Sequence, residues 1–183
     1  MFSQLSNQLI ASLCIRPIKD SSVATGLSTK LTGQIGEHLV TAELGRRGII
    51  ATPFSGNVPE IDILAHANGV TGHIQVKAIN KDSWQFDARK FLDIKLTESG
   101  QQVLGLNKEL DRKILCIFVS LGSELGKDAF YIFRWGWLQD YFLEHYKGRK
   151  PPKNIKSFHC AIWERDMNKH LEKWNLIEKK FKV

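Results

Sequence analysis

A single α/β domain is the fold class this sequence predicts, on three observations. Asn68-Gly69 sits between two alternating apolar stretches, the signature of a tight β-hairpin. Residues from about Thr32 to Arg47 carry a helical apolar period and are stopped by Gly48. Residues 113–121, "KILCIFVSL", form an unbroken apolar run of strand length, the pattern of a strand buried on both faces. With 183 residues, 43% of them hydrophobic, one sizeable core is expected.

Residues 1–30 read as an N-terminal extension, and 31–183 as the domain proper. "MFSQLSNQLIASLCIRPIKD" lacks a charged leader, and its broken apolar stretch is too short to span a bilayer. A cytoplasmic protein without a membrane partner is therefore expected. Leu5, Leu9, Ile10 and Leu13 suit a short amphipathic helix that packs either on its own domain or on a second subunit of a homodimer. "DSSVATGLSTK" reads as a flexible connector.

Thr32 is the expected N-cap of the first domain helix. On that helix Glu37 shares a face with Val40, Thr41 and Leu44, while Ile35, Leu39 and Ala42 form a second apolar face. A carboxylate on a packing stripe is costly unless it is paired or binds a metal. The alternative is an ordinary rim glutamate. His38 points about 100° away from Glu37 and reads as a surface residue.

The next segment, "VPEIDILAHANGVTGHIQVKAI", spans residues 58–79. If Ala67 and Val70 flank a two-residue type I′ turn, Asp62 faces Gln75 and Glu60 faces Lys77. Directly opposed side chains share one sheet face, roughly 5 Å apart at Cβ. Ile61, Ile63, Ile74 and Val76 then fall on the other face as a dry packing surface. A three- or five-residue loop would shift this register by one residue. Asp is depleted in strand interiors, so Asp62 between two isoleucines points to an edge or a functional position. Lys77 alone would read as a solvated strand lysine.

The order of helix glutamate, strand aspartate, short hairpin and Gln-x-Lys resembles the PD-(D/E)XK nuclease superfamily, in the Gln-x-Lys form of Holliday-junction-resolvase-like and modification-dependent restriction nucleases. The resemblance covers about Leu31 to Asn80 well and the rest in outline. It implies a restriction-endonuclease-like fold, with a central mixed sheet of about five strands flanked by helices. It also implies a catalytic set of Glu37, Asp62, Gln75 and Lys77, with Glu37, Asp62 and Gln75 as metal ligands. The implied activity is Mg²⁺-dependent hydrolysis of DNA phosphodiester bonds, with Mn²⁺ as a substitute, in restriction, repair or mobile-element defence. Two departures stand out. Ile61 replaces the motif's proline, and Gln75 replaces an acid, keeping a carbonyl oxygen but giving up a negative charge that would favour Mg²⁺.

In that chemistry Lys77 acts either as a cation orienting hydroxide or as a neutral general base. The neighbouring Glu37, Asp62 and Glu60 favour the charged role. Gln75 also motivates an alternative, a nucleic-acid-binding module without catalysis. A further alternative is an interaction protein whose polar cluster is structural.

Charge placement supports a nucleic-acid partner. The chain carries a net charge of +7; residues 1–146 hold 15 basic and 15 acidic side chains, and residues 147–183 hold 11 and 4. The run "YKGRKPPKNIK", with Lys147, Arg149, Lys150, Lys153 and Lys156, suits a phosphate backbone, although a solvated loop has the same composition.

The remaining elements follow. "SWQFDA" is a short strand, and "TESGQQVLGLNKEL" reads as a helix or an ordered loop. "DAFYIFRW" is the antiparallel neighbour of the 113–121 run across "GSELGK", and a helix covers about Gly136 to Tyr146. "FHCAIW" is a strand, and a terminal helix from about Glu164 to Phe181 places Met167, Leu171, Trp174 and either Leu176 or Ile177 at helical spacing. The five tryptophans read as core residues rather than base-stacking platforms. Cys14, Cys116 and Cys160 show neither metal-site spacing nor a disulfide framework.

Overall fold

The computed structural model describes residues 25–54, 61–98, 100–124, 126–146 and 156–183. Helix α1 spans Thr25–Arg46. Four strands follow: β1 (Ile50–Pro53), β2 (Ile63–Ala67), β3 (Val70–Ile79) and β4 (Ser83–Asp87). Next come β5 (Leu92–Thr97), β6 (Gly100–Leu106), β7 (Leu115–Ser120) and β8 (Ala129–Arg134). Helix α2 (Trp135–Tyr146), strand β9 (His159–Trp163) and helix α3 (Asn175–Phe181) complete the order.

A five-stranded mixed sheet runs β1-β2-β3-β7-β8, with β3 and β7 parallel and the other neighbours antiparallel. Two ribbons, β4-β9 and β5-β6, lie outside it. The strand β7 is buried on both faces, as its continuous apolar run predicts. Leu115, Ile117 and Val119 join Val40 and Leu44 of α1 and Ile177 and Phe181 of α3 in one core layer. Cys116 and Phe118 join Trp84, Trp135, Phe142 and Ile162 in the other, beneath α2 and β4-β9. The chain is thus one α/β domain with its sheet between two apolar layers.

Local chemistry explains the element ends. At the hairpin tip Asn68 and Gly69 both take positive φ, 48° and 73°, and Ala67 pairs with Val70. Helix α1 ends in a Schellman motif. Gly48 takes φ 73°, Gly48 N donates to Gly45 O and Ile49 N to Leu44 O, both at 3.0 Å, and the buried Ile49 and Leu44 supply the accompanying apolar contact.

Several expectations are corrected. Helix α1 starts at Thr25, so Thr32 lies inside it, buried at 7% exposure, and Thr25–Lys30 of the expected connector is helical. Its Ser, Thr and Gly composition masks a stretch that extends α1 alongside β3. The second apolar face of α1 is largely open: Ile35 and Ala42 are exposed, while Leu39 is half-buried against the core. "TESGQQVLGL" is not helical; it completes β5 and forms the returning strand β6 of a hairpin, whose bulge between Asp93 and Ile94 interrupts the period-2 pattern. The expected terminal helix is reduced to α3. Glu172 takes φ 54°, its N–H donates to Phe130 O, and its carboxylate accepts from Phe130 N, so the chain docks on edge strand β8 instead of coiling. Trp84, Trp135 and Trp174 are core residues, Trp137 is half-buried, and Trp163 is exposed beneath Arg165. Among the described residues no helix is long and apolar enough to cross a membrane.

Candidate metal and phosphodiester site

Strand β2 begins at the Ile63–Ile74 pair, so from Gln75 onward β3 has no ladder partner on that side. The chain keeps contact through Asp62, immediately before β2, whose N–H donates to Ile74 O at 3.2 Å. The register expected from the turn is the one observed: Ile63 opposes Ile74, which sets Asp62 against Gln75. Ile63, Ile74 and Val76 are buried on the α1 face, and Ile61 is half-buried.

Where the ladder stops, the Asp62 carboxylate takes over part of its work. Asp62 Oδ2 accepts the Val76 N–H at 2.7 Å, satisfying a backbone donor that β2 would otherwise have met. The same oxygen accepts from Gln75 Nε2, and Gln75 Nε2 also donates to Val76 O at 3.3 Å. Gln75 is 3% exposed, so its amide is a buried and paired polar group. Lys77, two residues on, is exposed. Its backbone is pinned from the other layer by Trp84 Nε1, which donates to Lys77 O at 3.1 Å.

Glu37 arrives from α1. The helix lies so close to β3 at Gly36 that a Cβ there would stand 2.5 Å from Ala78 Cβ and 3.7 Å from Val76 Cγ1. That approach needs two small residues, Gly36 and Ala78, and it brings Glu37 to the strand that carries Gln75 and Lys77. Glu37 is half-buried, with Thr41 Oγ1 donating to its carbonyl at 2.7 Å. Burial pushes the Glu37 carboxyl above its ordinary value, the Asp62 charge pushes it further, and His38 and Lys77 oppose the shift. His38 is exposed, as expected.

Asp62 and Gln75 are in direct contact, and Glu37 lies near enough to feel the charges of Asp62 and Lys77. Glu60, Lys147, Arg149, Lys150 and Lys153 lie outside the described residues, as does the N-terminal stretch with Leu5, Leu9, Ile10 and Leu13. Lys156 is exposed, just before β9. Sequence reasoning missed Gly36 and Ala78, which set the helix-to-strand distance. Glycine alone gave no signal, because Gly33 and Gly45 of the same helix are open to a Cβ; the close approach is fixed by Ala78 on the distant strand β3.

The donor set suits a hard divalent cation. Glu37 and Asp62 offer carboxylate oxygens, and Gln75 offers Oε1 once its amide turns. Among the described residues no three His, Cys, Asp or Glu side chains cluster, so such a cation depends on that amide oxygen together with ligands from water or substrate. Burial is the main cause of the upward shift of Glu37, and the smaller contribution from the Asp62 charge is the part that a cation would relieve.

No family model matches the sequence, and no curated protein matches it. Among solved structures, a bacterial homing endonuclease, I-Ssp6803I, is similar in fold with a TM-score of 0.50 at 17% identity, over 84% of this chain and 95% of that one.

Proposed function

We propose that this protein is a metal-dependent nuclease hydrolysing DNA phosphodiester bonds, with Glu37, Asp62, Gln75 and Lys77 as its catalytic set. The observation that carries the reading is the opposed pair Asp62 and Gln75 at the open end of β3, with the half-buried Glu37 on the adjoining helix within the influence of the Asp62 and Lys77 charges. The fold shared with a protein whose name is homing endonuclease is consistent with it. Glu37, Asp62 and Gln75 would hold Mg²⁺ or Mn²⁺. A cation there supplies charge stabilisation to a phosphoryl oxygen and makes water more acidic.

The protein's own groups divide the remaining work. Asp62 keeps Oδ2 on the Val76 N–H, which fixes its carboxylate in orientation. Gln75 would help hold the cation through Oε1, which requires its amide to turn from the hydrogen bond it now donates to Asp62. Lys77 projects from the same face of β3 and, as a cation, orients the attacking water and favours its hydroxide form, which adds to phosphorus as the bond to the leaving oxygen breaks.

The test is cleavage of duplex, single-stranded, branched and base-modified DNA in Mg²⁺ or Mn²⁺. Asp62→Ala and Lys77→Ala are expected to fold and to lose cleavage by at least about 100-fold. Wild-type protein inert on all four substrates counts against the reading. A second reading, a DNA-binding module without catalysis, draws on the amide nitrogen of Gln75 facing Asp62. Metal-independent, strongly salt-dependent binding without nicking would establish it.

A further inference from the structure

Beyond Lys77, at the far end of β3 from the hairpin, lies a cleft of about 610 Å³ between the first turns of α1 and the β3-β4 connection. Lys77, Lys81 and Lys90 line it, with Thr29, Asn80 and Gln85 among its polar groups and Trp84 and Phe86 at its apolar wall. None of the described lining residues is acidic. Three lysines lining one hollow with no acidic residue among its described lining make a site for anions, and Lys77 joins that hollow to the candidate metal ligands.

We propose that this cleft holds the phosphodiester backbone of the strand to be cut, next to the scissile phosphate, with Lys81 and Lys90 as its phosphate contacts. The proposal rests on the nuclease reading of Glu37, Asp62, Gln75 and Lys77 and names where their substrate lies. Three further features support it. Lys81 is exposed on the β3-β4 turn, where Asp82 takes φ 68°. Lys90 lines the cleft with its ammonium 4.9 Å from the centroid of the Trp135 ring, a contact that holds the side chain at the cleft wall. Ser83 and Gln85 also line a second hollow of about 400 Å³ that includes Tyr141, His145 and Trp163. The two hollows thus share the β4 residues Ser83 and Gln85.

The experiment measures binding of a labelled random-sequence duplex without divalent cations, as anisotropy at about 50 to 200 mM NaCl. Each phosphate contact contributes about 0.9 to the slope of log K against log salt. Lys81→Gln with Lys90→Gln is expected to lower the slope by about 2 and to weaken binding at every salt. Lys179→Gln with Lys180→Gln removes equal charge from α3, whose C-terminal end packs at the hairpin, where Asn68 Nδ2 donates to Lys182 O at 2.8 Å. That control is expected to keep the slope. Lys81→Glu alone, on the exposed turn, keeps the test if Lys90→Gln disturbs the contact with Trp135.

An unchanged slope in the cleft variants, an equal loss in the α3 control, or no binding by wild-type protein overturns the proposal. Failure of the nuclease reading looks different: the cleft variants lose slope while wild-type protein never cleaves. Cleavage by wild-type protein with no slope change in the cleft variants rejects the cleft alone.

Discussion

Gly36 is the residue on which the placement of Glu37 depends, and replacing it with alanine is a quantitative test. In an open helix this change gains about 0.5–1 kcal/mol, because glycine loses the most backbone entropy on folding. At Gly36 the new methyl would lie 2.5 Å from Ala78 Cβ, against ordinary carbon contacts of about 3.5–4.0 Å. Helix α1 must retreat from β3 by roughly 1 Å, or the strand must bend. Overpacking of this size costs about 1–3 kcal/mol, so the net expectation is a loss of about 1–2 kcal/mol. Gly45 on the same helix is exposed, and a methyl added there would meet nothing within 4 Å, so Gly45→Ala should gain about 0.5–1 kcal/mol. Urea unfolding followed by circular dichroism measures both. The double variant Gly36→Ala with Ala78→Gly removes the collision and should recover about 1 kcal/mol relative to additivity. A Gly36→Ala protein stabilised as much as Gly45→Ala would refute the close approach.

Three other outcomes follow from the same geometry. Gln75→Glu places a second carboxylate against Asp62, so the metal-free protein should lose about 1–3 kcal/mol while Mn²⁺ raises its melting temperature more than it raises that of wild type. Glu37 binds its proton more tightly folded than unfolded, so stability is greatest below its unfolded pKa and falls as pH rises through the folded one. Glu37→Gln should therefore melt higher than wild type at pH 7, converge with it near pH 3, and lose any Mn²⁺ stabilisation. His170 lies 4.0 Å from the Trp137 ring centroid and 5.3 Å from that of Phe133, and burial, helped by Lys169, pushes its pKa down to about 4. Stability is full above the unfolded value of 6.5 and declines as pH falls toward 4, by on the order of 1–2 kcal/mol after solvent screening. His170→Phe should flatten that decline in a pH series of melting temperatures.

What the sequence made legible was local. Asn68-Gly69 dictates both positive-φ positions, and from that turn the opposition of Asp62 and Gln75 follows without any tertiary information. The run 113–121 reads best as a strand covered on both sides, because a one-sided strand alternates, and Leu115–Ser120 is that strand. The failures arose where distant contacts overrode local pattern. Met167, Leu171, Trp174 and Ile177 have helical spacing, yet Glu172 reaches Phe130 on β8 and breaks the coil between them. The β5-β6 hairpin hides behind a bulge that leaves Leu104 without a cross-strand partner. Within the site, the face of Glu37 was readable from helix phase. Its proximity to Lys77 was not, because that depends on Gly36 meeting Ala78 across two elements.

The central claim is that Glu37, Asp62 and Gln75 form one cation site, and anomalous diffraction from crystals grown with Mn²⁺ tests it most directly. One strong peak is expected between the three side chains, with oxygen ligands at about 2.0–2.3 Å and the Gln75 amide turned so that its oxygen, not its nitrogen, faces the ion. Crystals at saturating Mn²⁺ with no peak there, and Gln75 Nε2 still donating to Asp62, would contradict the account.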